Sequence, residues 1–189
     1  MSAIILEKQQ FEITITRLCY ELIENNDPFQ STALIGLQPR GIYLAQSIHH
    51  RLKSILGEHD FAIGNLDTTF YRDDFRRREE PIIPSASDIN FLMEGKNVIM
   101  IDDVLYTGRT VRAGLDAMLD YGRPSKVEFL VLVDRRYSRQ LPVEPDYVGM
   151  QVDTRASQQV KVEWEATEGT NKVWLLNQWV RSMGYDQKK

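Results

Sequence analysis

The sequence predicts an α/β fold, an open, mainly parallel twisted sheet flanked by helices. Three observations predict it. Residues 97–133 read as strand, helix, strand, a unit that lays two strands parallel through a right-handed crossover. Residues 33–55 show a short apolar strand followed by an amphipathic helix. No internal repeat, low-complexity segment or linker interrupts the 189 residues, a length that suits one α/β domain.

Each element follows from local pattern. Phe11, Ile15, Leu18 and Leu22 recur at helical spacing and place a helix over 7–25. Asn25-Asn26-Asp27-Pro28 ends it. Ala33-Leu34-Ile35-Gly36-Leu37 is a short buried strand, and Gln38-Pro39-Arg40-Gly41 is the loop after it. Ile42, Ala45, Ile48, Leu52 and Ile55 mark a second helix. Residues 61–71 are rich in β-branched and aromatic types and read as a strand. Residues 72–89 hold eleven charged or proline residues and read as a long mobile loop, a length that is often functional. A strand follows at 97–101, a helix at 110–121 stopped by Gly122 with Pro124 beyond, and a strand at 127–133. Val160, Val162 and Trp164 alternate, and 173–179 is a further strand. One domain over 1–180 with a frayed tail at 181–189 is the expected organisation.

Composition narrows the function classes. Hydrophobic residues make up 42% and charged residues 26%, enough for a globular core. The net charge of -4 argues against a generally nucleic-acid-binding surface, though local basic patches remain open. The single cysteine, Cys19, allows no internal disulfide or CxxC metal site, which fits a reducing compartment. The first ten residues lack the basic region and cleavage site of a leader. No apolar run approaches the ~20 residues of a membrane helix, so a cytoplasmic setting is expected. His49, His50 and His59 have no metal spacing and read as surface residues.

Residues 98–110, VIMIDDVLYTGRT, carry the chemistry. Apolar residues form a central strand, and Asp102 and Asp103 follow at its carboxyl end, where open α/β sheets bind ligands. A loop with small and hydroxylic residues then opens a helix. Free backbone N–H groups and the helix dipole there favour a phosphate. Thr107 and Thr110 add hydroxyl donors, and Gly108 allows close backbone approach. Two carboxylates repel a phosphate but accept hydrogen bonds from alcohols, or meet a magnesium ion through its water shell. A phosphate at one end and vicinal hydroxyls a ribose-length away satisfy both. Simple helix capping by aspartate would leave the rest of this cluster unexplained. Neither GxxxxGK[ST] nor GxGxxG occurs.

These residues resemble the phosphoribosyl-diphosphate motif of type I phosphoribosyltransferases. The longer run DDVLYTGRTVRAGLDAMLDYGRPSKV, with LVDRR and DYVG, is similar to one branch, the bifunctional pyrimidine operon regulators with uracil phosphoribosyltransferase activity. ITRLCYELIENN, GLQPRGIYLA and DTTFYRDDF extend the resemblance from the first helix to about Val160. It implies a type I phosphoribosyltransferase-like fold with a mobile lid.

The resemblance also implies roles. Asp102 and Asp103 bind the ribose hydroxyls and are catalytic together with Arg40. Val104, Leu105, Tyr106, Thr107, Gly108, Arg109 and Thr110 cradle the 5-phosphate. Pro39, Arg40 and Gly41 contact the leaving diphosphate, Pro39 standing where a non-proline residue is usual. The loop starting at Tyr71 becomes the lid, with Arg72 and one of Arg76, Arg77 or Arg78, Arg78 foremost, closing over the diphosphate. Arg135 and a backbone contact near Val160 read the base. Mg2+ is the implied cofactor, held by Asp102 and Asp103 through water or ligand. The implied partners are 5-phosphoribosyl 1-diphosphate (PRPP), uracil and UMP, in a homo-oligomer of two or more subunits.

Three other readings stand beside uracil transfer: a purine-base phosphoribosyltransferase, an RNA-binding regulator with negligible catalysis, and a phosphate-binding module without enzymatic activity. Arg17, Arg136, Arg139 and Arg155 are the residues expected to meet pyrimidine operon leader RNA. Met150 and Tyr20 depart from the branch, which has lysine and commonly histidine at these positions.

Overall fold

A computed structural model describes residues 2–26, 29–57, 61–73, 86–155 and 157–177. The elements are β1 (Ala3–Leu6), α1 (Lys8–Asn25), β2 (Thr32–Leu37), α2 (Gly41–Leu56), β3 (Ala62–Leu66), β4 (Asn97–Leu105), α3 (Arg109–Met118), β5 (Lys126–Arg136), β6 (Tyr147–Asp153), β7 (Gln158–Glu163), α4 (Glu165–Glu168) and β8 (Lys172–Asn177). Five strands form a parallel sheet in the order β3-β2-β4-β5-β6. A second, three-stranded antiparallel sheet has the order β1-β8-β7.

Two apolar clusters hold the layers together. Phe11, Ile15, Leu18 and Leu22 of α1 pack with Leu44, Ile48 and Leu52 of α2, with Ile99 and Ile101 of β4, and with Val160, Val162, Trp164 and Val173 around the small sheet. On the other face Val98, Met100 and Val131 pack with Val111, Ala117 and Met118 of α3. Parallel strands covered on both faces read as continuous apolar runs, which is why β2 is buried at every position. The Phe11 ring meets Trp164 edge-on at 5.4 Å between centroids, so α1 carries the small sheet.

Several sequence expectations need adjustment. The strand expected at 61–71 ends at Leu66. Asp67 accepts hydrogen bonds from the Thr69 amide at 3.0 Å and from its hydroxyl at 2.6 Å, which favours a turn over further extension. β4 and β5 run longer than expected, so the acidic pair lies inside the last stretch of β4. The helix expected at 110–121 becomes a single 3-10 turn beyond Met118. Strands β1 and β6 were not anticipated. Part of the segment expected to be all loop is ordered, since Asp88 exchanges two backbone hydrogen bonds with Asn65. His49 is half-buried with its ring 4.9 Å from that of Phe61, while His59 and the tail 181–189 fall outside the described residues. Cys19 is fully buried, and burial pushes its thiol up to about 12.

Candidate active site

Strand order decides where a ligand can enter. The chain leaves β2 towards one sheet edge through β3, then returns to the other side of β2 at β4. The connections after β2 and β4 therefore diverge, and their carboxyl ends open the crevice where such sheets bind ligands. The first of these ends carries Arg40, and the second carries Asp102 and Asp103.

The two carboxylates are close and dry. Asp102 is 9% exposed and Asp103 8%. The Asp103 amide donates to Asp102 Oδ1 at 2.9 Å, and Asp103 Oδ2 receives Arg40 Nε at 3.3 Å. Burial, then the neighbouring Asp103 charge, raises the Asp102 pKa well above the usual carboxylate range. Burial raises Asp103 as well, against the opposing pull of the Arg40 guanidinium. A pair in this state gains from any ligand that supplies hydroxyl donors. Gly41 lets α2 start against this corner, because a Cβ there would sit 2.4 Å from the Ile101 carbonyl oxygen.

Arg40 is the hub between the sheets. Besides Asp103, its Nη2 donates to the Val162 carbonyl at 2.5 Å, and both terminal nitrogens reach Glu168 Oε1 at 3.3 Å. The Gln38-Pro39 peptide before it is cis.

After β4 the chain turns through Tyr106, Thr107 and Gly108 into α3. Gly108 adopts φ 90°, ψ −3°, a left-handed conformation that glycine takes without penalty. The turn is clamped from behind. Thr107 O accepts the Gln140 and Leu141 amides at 3.0 and 3.2 Å. Arg139 donates to the carbonyls of Leu105, Tyr106, Arg135 and Val143 and pairs with Asp134. With its carbonyls held this way, the turn leads into a helix start whose first amides have no intrahelical acceptor. Thr110 Oγ1 meets Arg72 Nη1 at 3.2 Å, and Arg109 bonds Gln140 and Asp73 at the rim. Leu105 is buried and Val104 half-buried against the core, so both bring only backbone to the turn.

Arg135 lies 6% exposed, its guanidinium 4.0 Å from the Tyr106 ring centroid. It donates to Thr154 Oγ1 at 3.2 Å and to the Gln158 carbonyl at 2.8 Å, and burial lowers its pKa. β7 is an edge strand of the small sheet. Its Gln158 carbonyl is held by Arg135 and its Val162 carbonyl by Arg40. Alternate residues of a strand face the same side, so Val160 turns its N–H and C=O out between these two arginines.

The arginines expected to meet RNA are placed variously. Arg17 bonds the Val148 and Gly149 carbonyls at 2.9 and 2.6 Å and pairs with Glu21. Arg136 pairs with Asp153 at 2.6 Å, Arg155 is exposed, and Arg139 is the brace already described. Arg78, with Arg76 and Arg77, lies outside the described residues. Sequence reading missed Glu168, Asp134, Thr154 and Gln140. Asp134 lies inside the LVDRR run, but its role shows only through Arg139, and the other three belong to no contiguous motif; only the fold brings them to the site.

Comparisons with known proteins agree with this architecture. A family model described as the phosphoribosyl transferase domain matches residues 1–166. The bifunctional protein PyrR of Enterococcus faecalis is 47% identical over 161 residues, covering 85% of this chain and 89% of that protein. PyrR of Halalkalibacterium halodurans is 43% identical over 178 residues, 93% of this chain and 97% of that one. A hypoxanthine phosphoribosyltransferase structure from Staphylococcus aureus superposes with TM-score 0.63 at 18% identity, covering 81% of this chain and 79% of that one. A hypoxanthine-guanine phosphoribosyltransferase structure from Bacillus anthracis gives TM-score 0.64 at 18% identity over 79% and 83%. At such identities the structures speak for the fold, while the sequence relatives speak for descent: the chain belongs to the phosphoribosyltransferase family, among the bifunctional PyrR proteins.

Proposed function

We propose that this chain transfers the phosphoribosyl group of PRPP to uracil, giving UMP and diphosphate. The observation that carries the reading is the buried acidic pair one turn away from a clamped helix start, both at the switch point of the sheet. In the reaction uracil N1 bonds to ribose C1. The bond from C1 to the diphosphate oxygen breaks with its electron pair going to diphosphate, and the N1 proton passes to solvent. Positive charge develops on the ribose ring, and Asp102 and Asp103 hold its two hydroxyls and face that charge. The amides and hydroxyls of 106–110 take the 5-phosphate. Arg40 and Arg72 meet the leaving diphosphate, where charge-assisted bonds strengthen as negative charge grows. Arg78 joins them from the lid, which excludes water.

The free edge of β7 supports a base that is read by amide-like groups. Val160 offers one donor and one acceptor side by side, matching the alternating N–H and C=O edge of uracil, while Arg135 over Tyr106 closes the pocket wall. Mg2+ fits these residues as a shared ion. Among the described residues no group of three or more acidic, histidine or cysteine side chains gathers, and magnesium characteristically takes one or two carboxylates together with substrate oxygens and water. When bound, it would neutralise diphosphate charge.

Diphosphate release from PRPP with uracil, hypoxanthine and guanine tests the reaction. Product with uracil is expected; product from the purines but not uracil would replace the base assignment. A second activity is proposed beside it, nucleotide-responsive binding of pyrimidine operon leader RNA through Arg17, Arg136, Arg139 and Arg155; the relatives' being named bifunctional fits two activities. Of these, Arg17 and Arg139 are already committed to protein carbonyls. A gel shift with the operon leader, with and without UMP at moderate salt, checks it; no nucleotide-dependent shift removes it. We further propose one functional unit over 1–180 acting in the cytoplasm as a homo-oligomer. The first is consistent with the shared apolar cluster, the second with the lack, among the described residues, of a helix able to cross a membrane, and the third with the exposed Ile13 and Tyr20 on α1.

A further inference from the structure

The Arg40 guanidinium has more acceptors than a residue awaiting an anion requires. Asp103 takes Nε, the Val162 carbonyl takes Nη2, and Glu168 Oε1 takes both Nη1 and Nη2. Glu168 is itself held in place. Its Oε2 accepts the Trp164 amide at 2.8 Å and the Thr167 hydroxyl, bonds that hold its carboxyl below the usual glutamate range. Trp164, which anchors this segment, is 2% exposed. Glu168 lies beyond residues 1–166, the span of the family match.

A carboxylate held by hydrogen bonds of its own, facing the arginine that meets an anion, is a competitor for that arginine. We propose that Glu168 is a positioning residue that competes with diphosphate for Arg40, lowering the protein's affinity for diphosphate and helping to expel it. This rests on the reading of Arg40 as a diphosphate ligand. When diphosphate arrives, Arg40 exchanges Glu168 for phosphate oxygens, and when it leaves, Glu168 recaptures the guanidinium. No bond is made or broken; only hydrogen bonds exchange.

The competition has a sign that mere structural support would not produce. Glu168→Gln keeps an oxygen for the Trp164 amide but removes the charge that retains Arg40. Binding of inorganic diphosphate, with magnesium present, is measured by calorimetry on the full-length protein, its Glu168→Gln and Arg40→Ala variants and the double variant. Glu168→Gln should bind about 3- to 10-fold more tightly than wild type. In the Arg40→Ala background the same change should alter affinity less than about 2-fold, because Glu168 acts through Arg40. Weaker or unchanged binding by Glu168→Gln overturns the proposal, and so does an equal gain with and without Arg40, which would mean a general charge effect. Should Glu168→Gln melt well below wild type, Glu168→Ala is put through the same cycle. Wild-type protein that takes up no diphosphate refutes the Arg40 reading itself, and with it this inference; wild-type binding that Glu168→Gln fails to tighten refutes only the competitor.

Discussion

In the corner where β4 turns into α3, contacts span shorter stretches of chain: the Arg109 amide meets the Thr107 hydroxyl two positions away, and the Arg139 brace reaches back 33 positions to the Tyr106 carbonyl. The wall opposite is built from afar. Arg40 and Glu168 are 128 positions apart, and β7 and β8 join β1 from the other end of the chain. The corner is held by a parallel sheet covered on both faces, while the wall hangs on Trp164, Val160, Val162 and Val173 and on the grip of Arg40. Fewer and longer-range contacts place the wall at the low-stability end of the molecule. A rigid phosphate corner facing a looser wall suits an enzyme that must hold the sugar still and let diphosphate and base come and go.

Breaking the wall at its anchor should produce the largest effect on stability. Trp164→Ala removes a ring packed on Phe11 and Tyr43 and should cost about 3–5 kcal/mol in urea unfolding. In hydrogen exchange the amides of β7 and β8 should lose protection first, with those of β4 and β5 holding theirs. Equal loss in both sheets would erase the distinction between corner and wall. Within the corner, Asp103→Asn should lower turnover about 100-fold or more, about 2.7 kcal/mol of transition-state stabilisation, with an unchanged circular dichroism spectrum. Near-normal turnover would remove the pair from the chemistry.

Two glycines sharpen the contrast, because both adopt positive φ, 90° at Gly108 and 74° at Gly169. Alanine at either position carries a backbone penalty of about 1–3 kcal/mol. At Gly108 a Cβ would also press on Val143 Cγ2 at 3.3 Å, while at Gly169 it meets nothing within 4 Å. Gly108→Ala should therefore raise the KM for PRPP several-fold, and Gly169→Ala should not raise it although both melt earlier. A rise in KM of similar size at Gly169 would mean that the two regions are not separable.

The same contrast explains what the sequence alone disclosed. The acidic pair, the turn and the start of α3 were legible because their chemistry is contiguous and each residue type has a local reason to be there. Arg40 was legible as a loop arginine, but its bonds to Val162 and Glu168 were not, since they depend on the small sheet folding back over α2. Arg139 illustrates the limit of reading charge: in the sequence it is one more basic residue, yet in the fold its donors fill with the carbonyls that brace the turn. β6 escaped notice because it begins at Tyr147 directly after the proline-rich stretch at 142–145 and alternates poorly, burial falling off after its first residue. β1 is four residues long and needs β8 to exist as a strand.

The smallest effect expected is also the one that tests the electrostatics of the corner most directly. Asp102 is an acid whose pKa is raised in the fold, so the native protein binds a proton that the unfolded chain releases. Stability must then fall as pH rises from the ordinary value of 3.8 up through the raised native value, and the penalty persists above it. Asp102→Asn keeps an oxygen for the Asp103 amide and removes the charge. It should melt with wild type at acid pH and gain on it steadily as pH climbs towards the raised native value. Its transferase activity should fall at the same time, as expected where a site holds charge at the expense of stability. Melting curves of the two proteins across this pH range decide it: an advantage for wild type that grows with pH would mean that burial does not govern this carboxylate.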